Sequence, residues 1–173
     1  MIINNKTILK FAVLVPGIIC LLTSCKEENT SLNKGVISET KLYSGSGNGK
    51  GIIEISGNCR SELTSKTERL TITVNLEDGN LISGEYILII STASNPETNC
   101  NIFTFNETKT GVINIISKDT FRFNVAIGTS AQLNNVFYNY EGQITETIIK
   151  GKVEHTSNAL LSSIKYDLNL SMP

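Results

Sequence analysis

The sequence has no tryptophan, a single histidine and few aromatic residues, and these shortages limit the kinds of site that it can build. Carbohydrate-binding surfaces usually present flat aromatic rings. An aromatic content of 6%, with Tyr138 and Tyr140 as the only close tyrosine pair, argues against such a platform. His155 is the one candidate for acid–base catalysis near neutral pH. Because it follows Glu154 at the end of a predicted strand, we interpret it as a surface-loop histidine.

Motifs of hydrolytic enzymes and of metal sites are also missing. No Gly-x-Ser-x-Gly nucleophile elbow lies between a strand and a helix. The acid pairs Glu27-Glu28 and Glu77-Asp78 are more simply solvated charges than the paired carboxylates of a glycosidase. The turn-like stretch Glu77-Asp78-Gly79-Asn80 lacks the spaced ligands of an EF-hand loop. We therefore expect no catalytic residue, no metal site and no cofactor, and a protein that is not an enzyme.

The chain lacks a block of basic residues. Its 15 lysines and arginines are matched by 16 acids, which gives a formal net charge of −1. Proteins that bind nucleic acid usually cluster basic residues against the phosphates. Nucleic acid is therefore not expected as a partner.

A long apolar run is absent as well. The longest near the N-terminus, Phe11 to Leu22, has 12 residues and is interrupted by Pro16-Gly17. A membrane-spanning helix needs about 20. A basic segment without acids precedes this run, and the small residues Thr23 and Ser24 follow it. This is the plan of a secretory signal peptide.

The signal-like segment ends in Leu22-Thr23-Ser24-Cys25, which resembles the lipobox of bacterial lipoprotein precursors. The resemblance implies that residues 1–24 are removed and that Cys25 is acylated on its sulfur and on its new N-terminus. Several acyl chains together anchor a protein stably, whereas one chain binds only marginally. The alternative is an ordinary secretory peptide with a chance cysteine.

Lys26-Glu27-Glu28 directly follows the lipobox cysteine. It is similar to the signal that sends lipoproteins of the Bacteroidota to the outer face of the outer membrane. The resemblance implies a lipid-anchored protein at the cell surface. The alternative is that these charges are simply solvated and that the protein is on the periplasmic face. In either case residues 25–35 would form the lipidated N-terminus and a tether. Residues 36–173 would then form a single domain.

Two cysteines remain once Cys20 leaves with the signal and Cys25 carries lipid. Cys59 and Cys100 are an even pair in an oxidising compartment, which favours a disulfide. The bridge would close a loop of 42 residues and stabilise the fold by roughly 4 kcal/mol in the chain-entropy model. Two free thiols or a metal site are the alternatives.

Alternating apolar and polar residues dominate the rest of the chain. Leu70 to Leu76 and Phe121 to Ile127 each present one apolar face, as half-buried strands do. No long window has helical periodicity. We expect an all-β domain, an antiparallel sandwich of about nine to ten strands. A lipocalin-like barrel is the alternative, although the Gly-x-Trp usual in that family is missing.

Three segments break this pattern in our interpretation. The glycine-rich residues Ser44 to Gly51 are expected to form a flexible connection between two strands. Arg60 to Lys66 is polar and compatible with one helical turn. Glu141-Gly142 carries a hairpin signal between two further strands.

A weaker resemblance covers about half of the domain. The Leu70 to Leu76 strand, Gly84-Glu85-Tyr86 and Gly111 to Ile115 look like segments of small β-sandwich lipoproteins of unknown function. This implies a fold and no activity. We expect a surface-anchored binding module whose partner is an unknown protein, glycan or lipophilic ligand. A carrier with a lipophilic molecule inside is the second possibility, and an enzyme is the third. A filled interior would favour the module, and a hollow one the carrier.

Overall fold

The computed structural model describes residues 35–55, 59–96, 104–128, 136–158 and 160–173. The chain divides into two units, Met1–Gly35 and Val36–Pro173, and the described elements belong to the second. The predicted signal peptide, Cys25, Lys26-Glu27-Glu28 and Cys100 lie outside the described residues, so the expectations attached to them stay predictions. Within the described ranges, no helix has the length and apolar character needed to cross a membrane.

Ten strands and no helix make up the described part of the domain, which confirms the expected all-β class. They are β1 (Ser38–Ile55), β2 (Cys59–Glu77), β3 (Asn80–Pro96), β4 (Thr104–Val112), β5 (Asn114–Ile115), β6 (Thr120–Ile127), β7 (Val136–Ile144), β8 (Ile148–Thr156), β9 (Ile164–Asp167) and β10 (Leu170–Ser171).

The strands form one antiparallel sheet in the order β4-β3-β2-β1-β10-β8-β7-β6-β5, with β9 also paired to β8. Its two ends come together because β4 runs almost directly into β5. The amide of Ile113 donates to the carbonyl of Gly84 on β3 at 3.0 Å, while Asn114 pairs with Arg122 on β6. The sheet is therefore nearly closed, in a barrel-like shape compatible with the expected sandwich and with its barrel alternative.

Strands β2 and β3 form a long hairpin, and its turn was predicted correctly. Asp78 and Gly79 have φ values of 49° and 77°, the left-handed pair that a two-residue type I′ turn requires. The Asp78 carboxylate accepts the Ile37 amide at 3.2 Å, and the Asp78 amide donates to the Ile37 carbonyl at 2.9 Å. The turn thus fixes Ile37, the residue that precedes β1, through two hydrogen bonds.

The glycine-rich connection was predicted wrongly, because residues 44–51 lie in the middle of β1. Their glycines recur at every second position and face the C-terminal segment. A Cβ on Gly49 would collide with the ring of Tyr166, and one on Gly51 would lie 2.5 Å from Cγ1 of Ile164. The glycines therefore mark a strand face stripped of side chains, so that β9 can pack closely against it.

Two other local interpretations were also wrong. Arg60 to Lys66 holds no helical turn, because it belongs to β2 and pairs with β3 from Ser61↔Pro96 to Lys66↔Ser91. Gly142 lies within β7 opposite Gly151 of β8, and the β7–β8 turn lies three residues further on. A Cβ on Gly142 would approach Phe121, Tyr140 and Ile149 within 3 Å, so this glycine serves packing.

Aromatic rings fill the middle of the domain. Tyr86 stacks on Phe123 with ring centroids 3.9 Å apart, and Phe123 contacts Tyr138 at 6.0 Å and Tyr140 at 5.6 Å. Tyr140 donates a hydrogen bond to the carbonyl of Leu168 at 3.0 Å. Most aromatic residues of the described part of the chain thus lie in its core, although Phe137 is exposed.

Candidate functional site

His155 lies at the inner face of β8, and its interpretation as a surface-loop residue was wrong. The strand continues to Thr156, and its alternation turns Ile149, Gly151, Val153 and His155 inward. His155 is fully buried, and it pairs with Tyr138 of β7 and Ile164 of β9. The only histidine of the chain is therefore a core residue between two neighbouring strands.

Two tyrosine rings pack against this histidine, and a threonine joins the two tyrosines. The rings of Tyr138 and His155 are nearly perpendicular with centroids 5.2 Å apart, and the ring of Tyr166 stacks on that of His155 at 6.1 Å. Oγ1 of Thr67 is hydrogen-bonded to the hydroxyl of Tyr138 at 3.0 Å and to that of Tyr166 at 2.7 Å. Thr67 on β2 therefore links the two tyrosines across the interior of the domain.

Burial sets the protonation states in this region. It lowers the pKa of His155 to about 4, because an imidazolium would lose its hydration there. Burial also raises the pKa of Tyr138 well above its usual value, and it raises that of Tyr166 although the hydrogen bond with Thr67 acts in the opposite direction. At neutral pH the imidazole and both phenols are uncharged.

Buried hydroxyl groups continue from Thr67 along β2 and β3. Ser61, Ser65 and Thr92 are almost completely inaccessible, and Ser65 pairs directly with Thr92 across the two strands. We name the set formed by these groups and the residues around His155 the hydroxyl–histidine cluster: Ser61, Ser65, Thr67, Thr92, Tyr138, His155 and Tyr166.

Several atoms of the cluster have no hydrogen-bond partner. Among the described residues, none is hydrogen-bonded to Oγ of Ser61, Oγ of Ser65, Oγ1 of Thr92 or either ring nitrogen of His155. No carboxylate of the described residues orients His155, so the geometry of a catalytic triad is not formed there. Nor do three or more histidine, cysteine or acidic side chains of the described residues come together as a metal site.

Sequence reasoning missed this cluster, although one signal was present. Ser61, Ser65 and Thr67 occupy inward positions of a period-two pattern that also includes Leu63. We read the segment as polar and ambiguous because its inward residues are mostly hydroxylated. Only the pairing with β3 reveals which face they occupy.

A second feature is a groove on the opposite, outward face of strands β6 to β9. It has a volume of about 1070 Å³, and we name it the outer groove. Its charged lining residues are three cations and three anions: Arg122, Lys150, Lys152, Glu141, Glu154 and Asp167. The lining also includes the amides of Asn114, Asn124, Asn139, Gln143 and Asn169.

One row across the outer groove alternates in charge. The strand register aligns Arg122, Glu141, Lys152 and Asp167 on four successive strands. None of these four charges forms an ion pair with another described residue.

The neighbouring row of the groove differs, because its polar groups are already paired. Asn124 donates to Asn139, which donates to the carbonyl of Glu154 at 2.9 Å, and the Glu154 carboxylate pairs with Lys165 at 2.8 Å. The four charges of the first row are thus more available to a partner than the paired groups of this row.

The proposed disulfide falls at the limit of the described residues. Cys59 opens β2 opposite Ile55, and its side chain is not described; Cys100 lies outside the described ranges. The disulfide stays a prediction.

Comparison of this chain with protein-family models, with curated proteins and with solved structures finds no match. The proposed function therefore depends on the sequence motifs and on the described residues of this chain.

Proposed function

We propose that the protein is a lipoprotein, anchored through Cys25 to the outer membrane at the cell surface, whose β-domain binds a protein partner through the outer groove. The lipobox Leu22-Thr23-Ser24-Cys25 and the adjacent Lys26-Glu27-Glu28 support the anchor and the address. The unpaired charges of the row Arg122, Glu141, Lys152 and Asp167 carry the binding proposal.

Charges of both signs determine what kind of partner suits the groove. Three cations and three anions give a balanced surface, which offers little net attraction to a polyanion such as nucleic acid. A protein surface with the opposite alternation would pair each charge in turn, and such complementarity mainly increases specificity and association rate. The neighbouring amides add hydrogen bonds in both directions. A glycan that uses these amides is the alternative partner.

The filled interior supports a binding module over a carrier of a lipophilic molecule. The space that an apolar ligand would need is taken by stacked rings, among them Tyr86 and Phe123 with centroids 3.9 Å apart. Protein interiors in which side chains interlock in this way are generally close-packed and contain few voids larger than a water molecule.

The anchor is tested by labelling with a radioactive fatty acid. Cys25→Ser should abolish incorporation, because a hydroxyl does not replace the thiolate as acyl acceptor. Cys20→Ser, five residues earlier in the same segment, is the matched control and should label like the wild type. Unchanged labelling of Cys25→Ser would show that the lipoprotein proposal is wrong.

The address is tested by adding a protease to intact cells. Replacing Lys26-Glu27-Glu28 with three alanines should leave the protein on the periplasmic face, where the protease does not reach it. The control replaces Asn29-Thr30-Ser31 with alanines in the same tether. Equal digestion of both variants would contradict the export signal.

The groove is tested by photo-crosslinking on intact cells. A photoreactive amino acid at Lys152 should give a discrete protein adduct, and the same amino acid at Lys66, exposed on the outer face of β2, should not. Arg122→Glu within the crosslinking chain should remove the adduct by reversing one charge of the row. The same adduct from both positions, or no adduct at Lys152, would overturn the protein-binding proposal, and an adduct with polysaccharide would favour the glycan.

A further inference from the structure

We infer that the partner of the outer groove is a second copy of this chain, an inference that rests on the proposed function because it names the partner of the same groove. The two copies meet face to face across a two-fold axis. This axis runs parallel to strands β7 and β8 and lies between them.

The charged row is complementary to its own reverse. From β6 to β9 its charges are plus, minus, plus and minus, on Arg122, Glu141, Lys152 and Asp167. In the opposite direction the order is minus, plus, minus and plus. When two identical surfaces meet through a two-fold axis, residue i contacts residue j and residue j contacts residue i. A second copy therefore presents the charges that this row requires.

The position of the axis sets which charges face each other. With the axis midway between β7 and β8, Arg122 of one copy faces Asp167 of the other, and Glu141 faces Lys152. Each pair occurs twice, so four pairs of opposite charge form. Two packed sheets lie about 10 Å apart, a gap that long charged side chains from both surfaces can span. Because none of the four charges forms an ion pair with another described residue, each is available to the second copy.

The same charges decide the direction of the axis. Two axes keep the rows of the two copies in register, one along the strands and one across them. The axis across the strands would leave the order of the row unchanged, so that Arg122 would face Arg122 and Glu141 would face Glu141. Like charges that face each other across an interface oppose binding. The axis along the strands is therefore the one that the row selects.

The neighbouring rows also fit this axis. On one side Gln143 of β7 lies beside Lys150 of β8, so the axis sets an amide against an ammonium group. On the other side Asn139 lies beside Glu154, so the axis sets an amide against a carboxylate. An amide can both donate and accept hydrogen bonds. At the axis, neither row brings like charges together.

The place where the chain enters the domain agrees with the same axis. Strands β1 and β8 both pair antiparallel with β10, so they run in the same direction and begin at the same end of the sheet. Rotation about an axis along the strands keeps this end on one side of the dimer. Both N-terminal segments then leave the dimer on the same side, as anchorage in one membrane requires. The axis across the strands would place them on opposite sides.

The size of the surface indicates how strong the contact is. Neighbouring strands lie about 4.8 Å apart and residues on one strand face about 6.7 Å apart, so three rows on four strands cover on the order of 400 Å² in each copy. A stable dimer typically buries about 800 Å² in each partner. The dimer is therefore weak in dilute solution and depends on two copies sharing one membrane, which raises their effective concentration.

The test uses two differently tagged copies of the full chain in the same intact cells. A photoreactive amino acid replaces Lys150, which lines the groove, so that all four charges of the row stay in place. We expect an adduct with twice the mass of one chain that carries both tags. Peptide mapping should place the crosslink in β7 of the second copy, near Gln143.

Two charge reversals separate the inferred pairing from a general effect of charge. Arg122→Glu in both copies, or Asp167→Arg in both copies, sets like charges opposite each other and should weaken the doubled adduct at least fivefold. One copy with Arg122→Glu and the other with Asp167→Arg should restore it, because each reversed charge then faces its complement. This restoration also shows that both variants fold. Lys66→Glu, on the exposed face of β2, is the matched control and should leave the adduct unchanged.

Three results would overturn the inference. They are a discrete adduct with a different protein and none of doubled mass, a doubled adduct that both single reversals leave unchanged, and a mixed pair that does not restore the adduct. The first result would leave the proposed function standing, because the groove would still bind a protein. The absence of any adduct from Lys150 would contradict the inference and the proposed function alike.

Discussion

Acid should destabilise this domain through His155 specifically. The folded state holds the imidazole at a pKa of about 4, and an unfolded chain holds it at the ordinary value near 6.5. Above pH 6.5 both states are neutral at this residue, so His155 contributes no pH dependence. As the pH falls through 6.5 the unfolded state gains a proton that the folded state does not accept. The free energy of unfolding therefore falls until both states are protonated, near pH 4.

The size of this effect follows from the difference between the two pKa values. About 2.5 pKa units at about 1.36 kcal/mol each correspond to a loss of about 3 kcal/mol between pH 7 and pH 4. Small domains are stable by only about 5–15 kcal/mol, so the loss is large enough to be measured by urea unfolding. Carboxylates add their own acid dependence, among them Asp119, whose pKa is lowered by hydrogen bonds from Gln143, Ser117 and Thr120.

A variant without the imidazole isolates the contribution of His155. His155→Gln cannot be protonated in this range, so its unfolding free energy should fall by about 3 kcal/mol less than that of the wild type between pH 7 and pH 4. An independent measurement needs no variant, because the ring signals of the only histidine can be titrated by NMR. Parallel pH profiles of the two proteins, or a ring that titrates near 6.5 in the folded state, would refute the reasoning.

Two other changes test the close packing and the covalent link of the fold. Gly49→Ala should destabilise the domain by about 1–3 kcal/mol in urea unfolding, because the added Cβ would collide with Tyr166. Gly35→Ala is the control and should be neutral, because a Cβ there meets no atom within 4 Å. Equal stability of the two variants would contradict close packing at this strand. Cys59→Ala with Cys100→Ala should cost a few kcal/mol without changing the fold. Thiol counting on the denatured, unreduced protein checks the premise, and two free thiols would rule out the bridge.

Short-range patterns predicted the elements that depend on neighbouring residues. The turn at Asp78-Gly79 was recognisable because its left-handed backbone suits that residue pair. The strand from Leu70 to Leu76 was recognisable because its apolar residues alternate, and Leu70, Ile72, Val74 and Leu76 are all buried. In both cases the cause of the structure lies within a few residues of the chain, so the sequence alone is enough to infer it.

The meaning of the glycines could not be read in the same way. A run of alternating glycines predicts flexibility when only the local chain is considered. In the fold, Gly49 and Gly51 form a strand face against Tyr166 and Ile164, which are more than 110 residues away in sequence. Nothing in residues 44–51 themselves indicates that a C-terminal strand packs against their side-chain face.

The sequence by itself determined the all-β class, the alternation of the main strands and the β2–β3 turn, and it carries the lipoprotein prediction in Leu22-Thr23-Ser24-Cys25. Only the tertiary structure decided that His155 is buried, that Thr67 joins Tyr138 to Tyr166, and that charges from four strands align in one groove. The physical reason is that alternation gives each strand two faces without saying which one is inside. That choice is made when distant strands pair and the sheet curls, because a shift of register by one residue would exchange the two faces.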